Sequence, residues 1–167
     1  MRFAQYVSVG ALLLISTTFA ADKKTDFSGS WLFNNQKSSG NENQGRRMKP
    51  GNLSVTQNGN QFIIGRTVQR ESGDTKTLLD TFSIDGKPTN SISTPDREKK
   101  TSVSWNKEGT SIIFSTKAVF ERQGAKTEIS STEVWTLSEK GAVLSLVNTS
   151  TSPRGERKAT FVYDKGK

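Results

Sequence analysis

Apolar and polar residues alternate along almost the whole chain beyond Gly29. The alternating segments are rich in Val, Ile, Thr, Phe and Trp and are bounded by Gly, Asn, Asp and Pro. Such period-two patterns are typical of half-buried antiparallel strands. Beyond residue 21 no stretch repeats its apolar residues at the helical period. The sequence therefore predicts an all-β domain.

Short turn sequences separate these segments. Asn58-Gly59 and Asp85-Gly86 suit type I′ hairpin turns, because both residue types tolerate positive φ. The region 35–51 is polar, has no periodicity and is expected to be a loop. The predicted strands are 29–34, 53–57, 61–70, 75–84, 89–93, 99–106, 110–120, 126–137, 142–151 and 156–163.

A run of hairpin-linked strands is a meander, which hides its edges by closing on itself. We therefore predict a single antiparallel up-and-down β-barrel of about 8–10 strands. A barrel of that size is either filled by side chains or wide enough to hold one small ligand. Small inward-facing side chains would leave a cavity, and bulky ones would fill it.

The N-terminus has the layout of a secretory signal peptide. The first two residues carry a positive charge, residues 7–19 are mostly apolar, and Ala20 and Ala21 are small. The apolar run is shorter than the roughly 20 residues of a membrane span. We expect cleavage after Ala20, or alternatively after Ala21. This gives a signal peptide at 1–20 and a barrel domain at 21–167 that is exported to the periplasm or secreted, with no transmembrane segment. An uncleaved N-terminal anchor is the alternative.

The chain contains no Cys and no His. Disulfides are therefore impossible, the usual zinc and copper ligands are missing, and a Ser-His-Asp or Cys-His nucleophile cannot be built. Glu121, Glu128 and Glu133 lie on neighbouring predicted strands without the facing pair that glycoside hydrolysis needs. We expect no catalytic residue, no metal and no cofactor, with a carboxylate-based hydrolase as the alternative.

The net charge is +8, from 24 Lys and Arg against 16 Asp and Glu. A positive field favours anionic partners. The basic residues are spread among acidic ones, however, and aromatic residues do not interleave with them as they do in nucleic-acid stacking platforms. We interpret the charge as the solvated surface of a monomer, and nucleic acid is not an expected partner.

Two predicted strands carry a charge within an apolar face. Phe62, Ile64 and Arg66 share one face of the third strand, and Glu133 and Trp135 share one face of the eighth. A buried unpaired charge is costly, so an inward Arg66 or Glu133 needs the other residue, or an anionic ligand group, as its partner. These five residues are the predicted ligand site, with Arg66 holding a carboxylate by its planar fork. A structural salt bridge, or a bulge that turns the charge to solvent, are the alternatives.

Four motifs, in their order along the chain, resemble those of known proteins. They are Phe27-Ser28-Gly29-Ser30-Trp31, Val55-Thr56-Gln57-Asn58-Gly59-Asn60, Glu133-Val134-Trp135-Thr136-Leu137-Ser138 and Tyr163-Asp164-Lys165. The set is similar to the motifs of small exported bacterial lipocalin-like proteins. These belong to the calycins, the group of lipocalins and fatty-acid-binding proteins, whose first strand carries a Gly-x-Trp motif. The region 35–51 has too few apolar residues for the helical pair that caps fatty-acid-binding proteins.

This resemblance implies a lipocalin or fatty-acid-binding-like barrel whose base is closed by Gly29 and Trp31. It also implies that a basic residue of the last strand packs over the Trp31 ring as a structural cation–π contact. Arg157 and Lys158 are the candidates for that residue.

We therefore expect a non-catalytic exported binding protein that holds a small, partly apolar or amphipathic molecule in the barrel cavity, with an acid as one option. The alternative is a filled barrel that acts as a periplasmic or surface interaction module for protein, glycan or envelope. Trp31, Trp105 and Trp135 are expected in the core rather than stacked on a ligand, since a buried Trp usually serves packing.

Overall fold

The computed structural model describes residues 24–40, 50–69, 75–94, 97–122 and 124–167. The predicted signal peptide with its cleavage site, most of the predicted loop, and the predicted turns at 71–74 and 95–96 lie outside the described residues. Within the described ranges, no helix is long and apolar enough to cross a membrane.

The described chain is almost entirely β-structure, as the alternating sequence predicts. Ten strands form one sheet, and a short 3-10 turn at Glu139–Gly141 precedes the ninth. The strands are β1 (Gly29–Ser39), β2 (Leu53–Asn58), β3 (Gln61–Gln69), β4 (Thr75–Ser83), β5 (Thr89–Thr94), β6 (Arg97–Trp105), β7 (Ser111–Arg122), β8 (Ala125–Ser138), β9 (Val143–Ser152) and β10 (Gly155–Lys165).

All strand pairs are antiparallel, and the order in the sheet is β4-β3-β2-β1-β10-β9-β8-β7-β6-β5. The first and last strands therefore lie side by side, and β4 and β5 form the two edges. Two backbone hydrogen bonds anchor the connection between those edges, from Gly86 N–H to the Val103 carbonyl at 2.9 Å and from Ile84 N–H to the Asn60 carbonyl at 2.8 Å. The result is a nearly closed barrel, which confirms the predicted up-and-down architecture.

Strand β1 is longer than predicted because it contains a bulge. Its pairing with β10 jumps from Asn34 opposite Val162 to Ser39 opposite Thr160. Within the bulge the Ser38 hydroxyl donates to the Asn34 carbonyl at 2.7 Å and accepts the Val162 N–H at 2.9 Å. The prediction of a loop from residue 35 is therefore wrong for 35–39. This part of the strand is held by side-chain hydrogen bonds, so its sequence lacks the apolar alternation of a regular strand.

The base of the barrel is closed by the segment that precedes β1. The ring of Phe27 is fully buried and lies 6.3, 6.1 and 6.4 Å from the rings of Phe62, Trp105 and Trp135. The Trp31 indole N–H donates to the Phe27 carbonyl at 3.0 Å. Phe27 and Trp31 therefore hold each other in place beneath the barrel interior.

Gly29 and Trp31 lie at the start of β1, next to Phe27. Gly29 has φ of +139°, a conformation that other residues rarely adopt. The fully buried Trp31 ring lies under the Lys165 ammonium, whose Nζ is 5.5 Å from the ring centroid.

The cation over Trp31 is thus not one of the two that were predicted. Arg157 and Lys158 are exposed and lie on the opposite half of β10. The register pairs Trp31 with Lys165, and Arg157 lies eight residue positions before Lys165, about 26 Å along the strand. The prediction failed because β10 extends two residues beyond its predicted end at Tyr163.

Replacing Phe27 by Ala tests the closure of the base. We expect Phe27→Ala to lower the free energy of unfolding by about 3–5 kcal/mol, because it empties a packed aromatic site. Urea denaturation followed by tryptophan fluorescence measures the change. The exposed Ser30 serves as a control, and Ser30→Ala should change the same free energy by less than about 0.5 kcal/mol. Equal stabilities for the two variants would contradict the assigned role of Phe27.

Candidate functional site

The strand register orders the inward-facing side chains into rows. Residues directly opposite on paired strands share a face of the sheet, and so do residues two apart on one strand. The lowest row across β6 to β10 is apolar and, apart from the half-buried Trp105, fully packed. Its members are Trp105, Ile112, Trp135, Leu146 and Phe161.

The first polar side chains of the interior lie one row higher. This row consists of Val103, Phe114, Glu133, Asn148 and Ala159. The next row, which we call the hydroxyl row, consists of Thr101, Thr116, Ser131 and Ser150, with Arg157 opposite Ser150 at its end. The barrel interior thus changes from aromatic at the base to small and polar above.

Arg66 and Glu133 contact each other at the boundary between the aromatic and the polar rows. Arg66 Nη2 lies 3.4 Å from Glu133 Oε1, and the side chains are 34% and 18% exposed. The Trp135 indole N–H donates to the same Glu133 oxygen at 2.7 Å, and the Arg66 guanidinium carbon lies 5.8 Å from the Trp135 ring centroid. Two residues predicted from separate strands are therefore brought together across the interior, from β3 to β8.

The other predicted ligand residues lie deeper. Phe62, Ile64 and Trp135 are fully buried core residues. The ring of Phe62 packs against Phe114 at 5.9 Å and Trp135 at 5.6 Å. These three residues therefore form a packed apolar floor beneath the ion pair. Among the five predicted site residues, Arg66 has the most exposed side chain.

Tyr163 belongs to the same cluster, although the sequence did not indicate it as a site residue. It is buried and packs edge-on against Phe33 at 5.4 Å. Burial raises the pKa of Tyr163 to about 12, with a lowering contribution from the Arg66 charge and a raising one from Glu133. Only a three-dimensional register could place Tyr163 within the field of this ion pair, because the three residues are on three different strands.

A pocket opens beside the upper half of β10. Strand β1 pairs with β10 from Thr160 onward, whereas in the described part of the chain residues 155–159 pair with β9 alone. The pocket has a volume of about 660 Å³, above the roughly 300 Å³ at the low end for ligand sites. It is lined by Gly40, Asn148, Ser150, Glu156, Arg157, Lys158 and Ala159.

The pocket and the ion pair are neighbours rather than one site. Arg66 and Glu133 do not line the pocket, but Asn148, which does, lies directly opposite Glu133 in the register. Among the residues that the structure describes, no three acidic side chains cluster in a way that could hold a metal ion. Above the apolar floor, the described side chains of this region offer hydrogen-bonding groups and charges.

Comparison with known proteins shows the fold. No protein-family model matches the sequence, and neither does any curated protein. The chain is similar to the crystal structure of the zebrafish ileal bile acid-binding protein complexed with cholic acid, with a TM-score of 0.51 and 17% identity over 84% of this chain and 98% of that one. It is also similar to a mutant of the fluorescent protein UnaG, with a TM-score of 0.51 and 15% identity over 84% of this chain and 96% of that one. The predicted lipocalin and fatty-acid-binding-like barrel is thereby confirmed.

The burial of the Tyr163 phenol predicts that this residue ionises at an unusually high pH. Tyr163 should remain protonated near pH 10, where an unperturbed tyrosine ionises, and should titrate near pH 12. Because the folded-state pKa is raised, its stabilising contribution, about 3 kcal/mol, is complete below pH 10 and is lost as the pH rises through 12. Ultraviolet absorbance of the phenolate measures the titration.

Tyr163→Phe provides the control for this titration. The chain's other tyrosine is Tyr6. The full-length variant should therefore lose the late transition and keep only that of Tyr6, and the variant without residues 1–20 should show no phenolate titration. Ionisation of Tyr163 near pH 10 in the folded protein would contradict its burial beside the ion pair.

Proposed function

We propose that this protein is a non-catalytic binding protein that holds a small amphipathic acid in the upper half of its barrel. The observation that carries the proposal is the division of the interior into an aromatic floor and a row of small polar side chains above it. Such small inward residues leave room where bulky ones would fill a barrel.

Arg66 is the proposed partner of the acid group. Its contact with Glu133 engages one guanidinium nitrogen, and a guanidinium has five N–H donors. Glu133 is also held by the Trp135 indole, so its carboxylate stays anchored when Arg66 turns toward a ligand. The 34% exposure of Arg66 gives a ligand access to the charge, while the floor formed by Phe62, Ile64 and Trp135 limits how deep the ligand sits.

The structural neighbours support the same kind of function. The zebrafish protein is a barrel of this fold that holds cholic acid, which is an amphipathic acid. The partial exposure of inward-facing Ser131 and Ser150 weighs against the alternative of a filled interaction module.

Calorimetric titration with laurate and with dodecanol tests the proposal. The unmodified protein should bind laurate, and Arg66→Ala should raise the Kd for laurate by about 10- to 100-fold, the cost of a lost hydrogen bond to a charged group. Dodecanol has the same apolar chain without the charge, so its Kd should change by less than about threefold.

A matched control is the exposed Lys117, whose charge lies on the outer face of β7. Lys117→Ala should leave both affinities unchanged, which separates a local contact from the general positive field. If the unmodified protein binds neither laurate nor another amphipathic acid such as cholate, the proposal is overturned. If Arg66→Ala binds laurate as tightly as the unmodified protein does, Arg66 has no part in the site.

We further propose that the chain is exported after removal of residues 1–20. The charged start, the apolar run and the small residues before Asp22 support this. Mass spectrometry of the protein purified from expressing bacteria should find a mature N-terminus at Ala21, or at Asp22 for the alternative cleavage site. Recovery of the protein with residues 1–20 intact would contradict export by cleavage.

A further inference from the structure

We propose that the hydroxyl row binds an oxygen-rich face of the ligand, so that the protein prefers a facially amphipathic acid with several hydroxyl or carbonyl oxygens over a simple fatty acid. This inference rests on the proposed function and assigns a ligand class to the same interior.

The register places four hydroxyls on neighbouring strands at one level. Thr101 lies opposite Thr116, Thr116 opposite Ser131, and Ser131 opposite Ser150. Paired strands are about 4.8 Å apart, so the row spans about 14 Å. One carboxylate is too small to contact a row of that length, so the matching ligand oxygens must be spread along its body.

The two ends of the row differ. Thr101 is buried, and its hydroxyl lies 3.0 Å from that of Thr116, so these two groups partly satisfy each other. Ser131 and Ser150 are partly exposed, and Ser150 also lines the pocket beside β10. A hydroxyl both donates and accepts hydrogen bonds, so the accessible half of the row suits ligand hydroxyls as well as carbonyls.

Charged side chains lie at the end of the hydroxyl row that is next to the pocket. Arg157 and Lys158 line the pocket together with one acid, Glu156, so the lining carries a net positive charge. An anionic ligand group is therefore favoured there as well as at Arg66.

The facing wall offers an exposed apolar side chain next to Arg66. Leu78 lies opposite Arg66 on the paired strand β4 and is 37% exposed, and Lys76 and Asp80 share its face on either side. A molecule whose carboxylate lies at Arg66 would place apolar surface against Leu78 and its oxygens toward Ser131 and Ser150.

Calorimetry with cholate and with its hydroxyl-free parent, 5β-cholanate, tests this inference. The two probes share one ring skeleton and one carboxylate and differ in the hydroxyls on one face. We expect the unmodified protein to bind cholate more tightly. The double variant Ser131→Ala, Ser150→Ala should raise the Kd for cholate by about tenfold, the loss of two neutral hydrogen bonds, and should leave the Kd for 5β-cholanate within about twofold.

Two further variants separate recognition from structure. Thr132 follows Ser131 on β8, is exposed on the outer face, and is the matched control, so Thr132→Ala should bind both probes normally. Ser150→Thr keeps the hydroxyl and should retain the preference for cholate. Thermal denaturation confirms that each variant is folded before its affinity is compared.

The outcomes distinguish this inference from the function on which it rests. If laurate binds but cholate does not, or if the double variant leaves cholate binding unchanged or weakens both steroid probes equally, the hydroxyl row is not the recognition element and only this inference fails. If neither laurate nor the steroid probes bind, the proposed function fails with it.

Discussion

The packing of Phe27 into the barrel base determines where free space remains in this molecule. Its ring pairs with Phe62, Trp105 and Trp135, and aromatic pairs contribute about 0.5–1.5 kcal/mol each beyond the area they bury. The Trp31 indole bonds to the Phe27 carbonyl, so the first strand and the segment before it are fixed together. With the base filled in this way, any internal volume has to lie above the level of Glu133 and Arg66.

The two members of the Arg66–Glu133 ion pair differ in exposure and in hydrogen bonding. A paired charge in a protein interior gains from its partner but loses hydration, and the balance depends on how well each group is hydrogen-bonded. Glu133 accepts the short 2.7 Å bond from Trp135 and is the less exposed partner, whereas its contact with Arg66 is 3.4 Å long. The carboxylate is therefore the more constrained member of the pair, and the guanidinium is the more exposed one.

Sequence patterns were sufficient for the strands, because these depend on period-two alternation. For Arg66 and Glu133 the cost of an unpaired buried charge indicated that each needs a partner, and their mutual ion pair was one of several alternatives that the sequence left open. Contacts that depend on the register between strands distant in the sequence could not be predicted. Lys165 over Trp31 and Tyr163 beside the ion pair required the pairing of the first and last strands. The bulge after Asn34 was missed for another reason, since its bonds come from polar side chains that have no periodic signature.

The hydroxyl row bears on whether the upper interior is open to water. The hydroxyls above the ion pair would be costly if they were sealed in a dry core, because each buried polar group then needs a partner. Among the described residues, no buried polar side-chain atom lacks a hydrogen-bond partner, and Ser131 and Ser150 remain partly exposed. The partial exposure of Ser131 and Ser150 therefore reconciles these polar inward positions with a stable barrel.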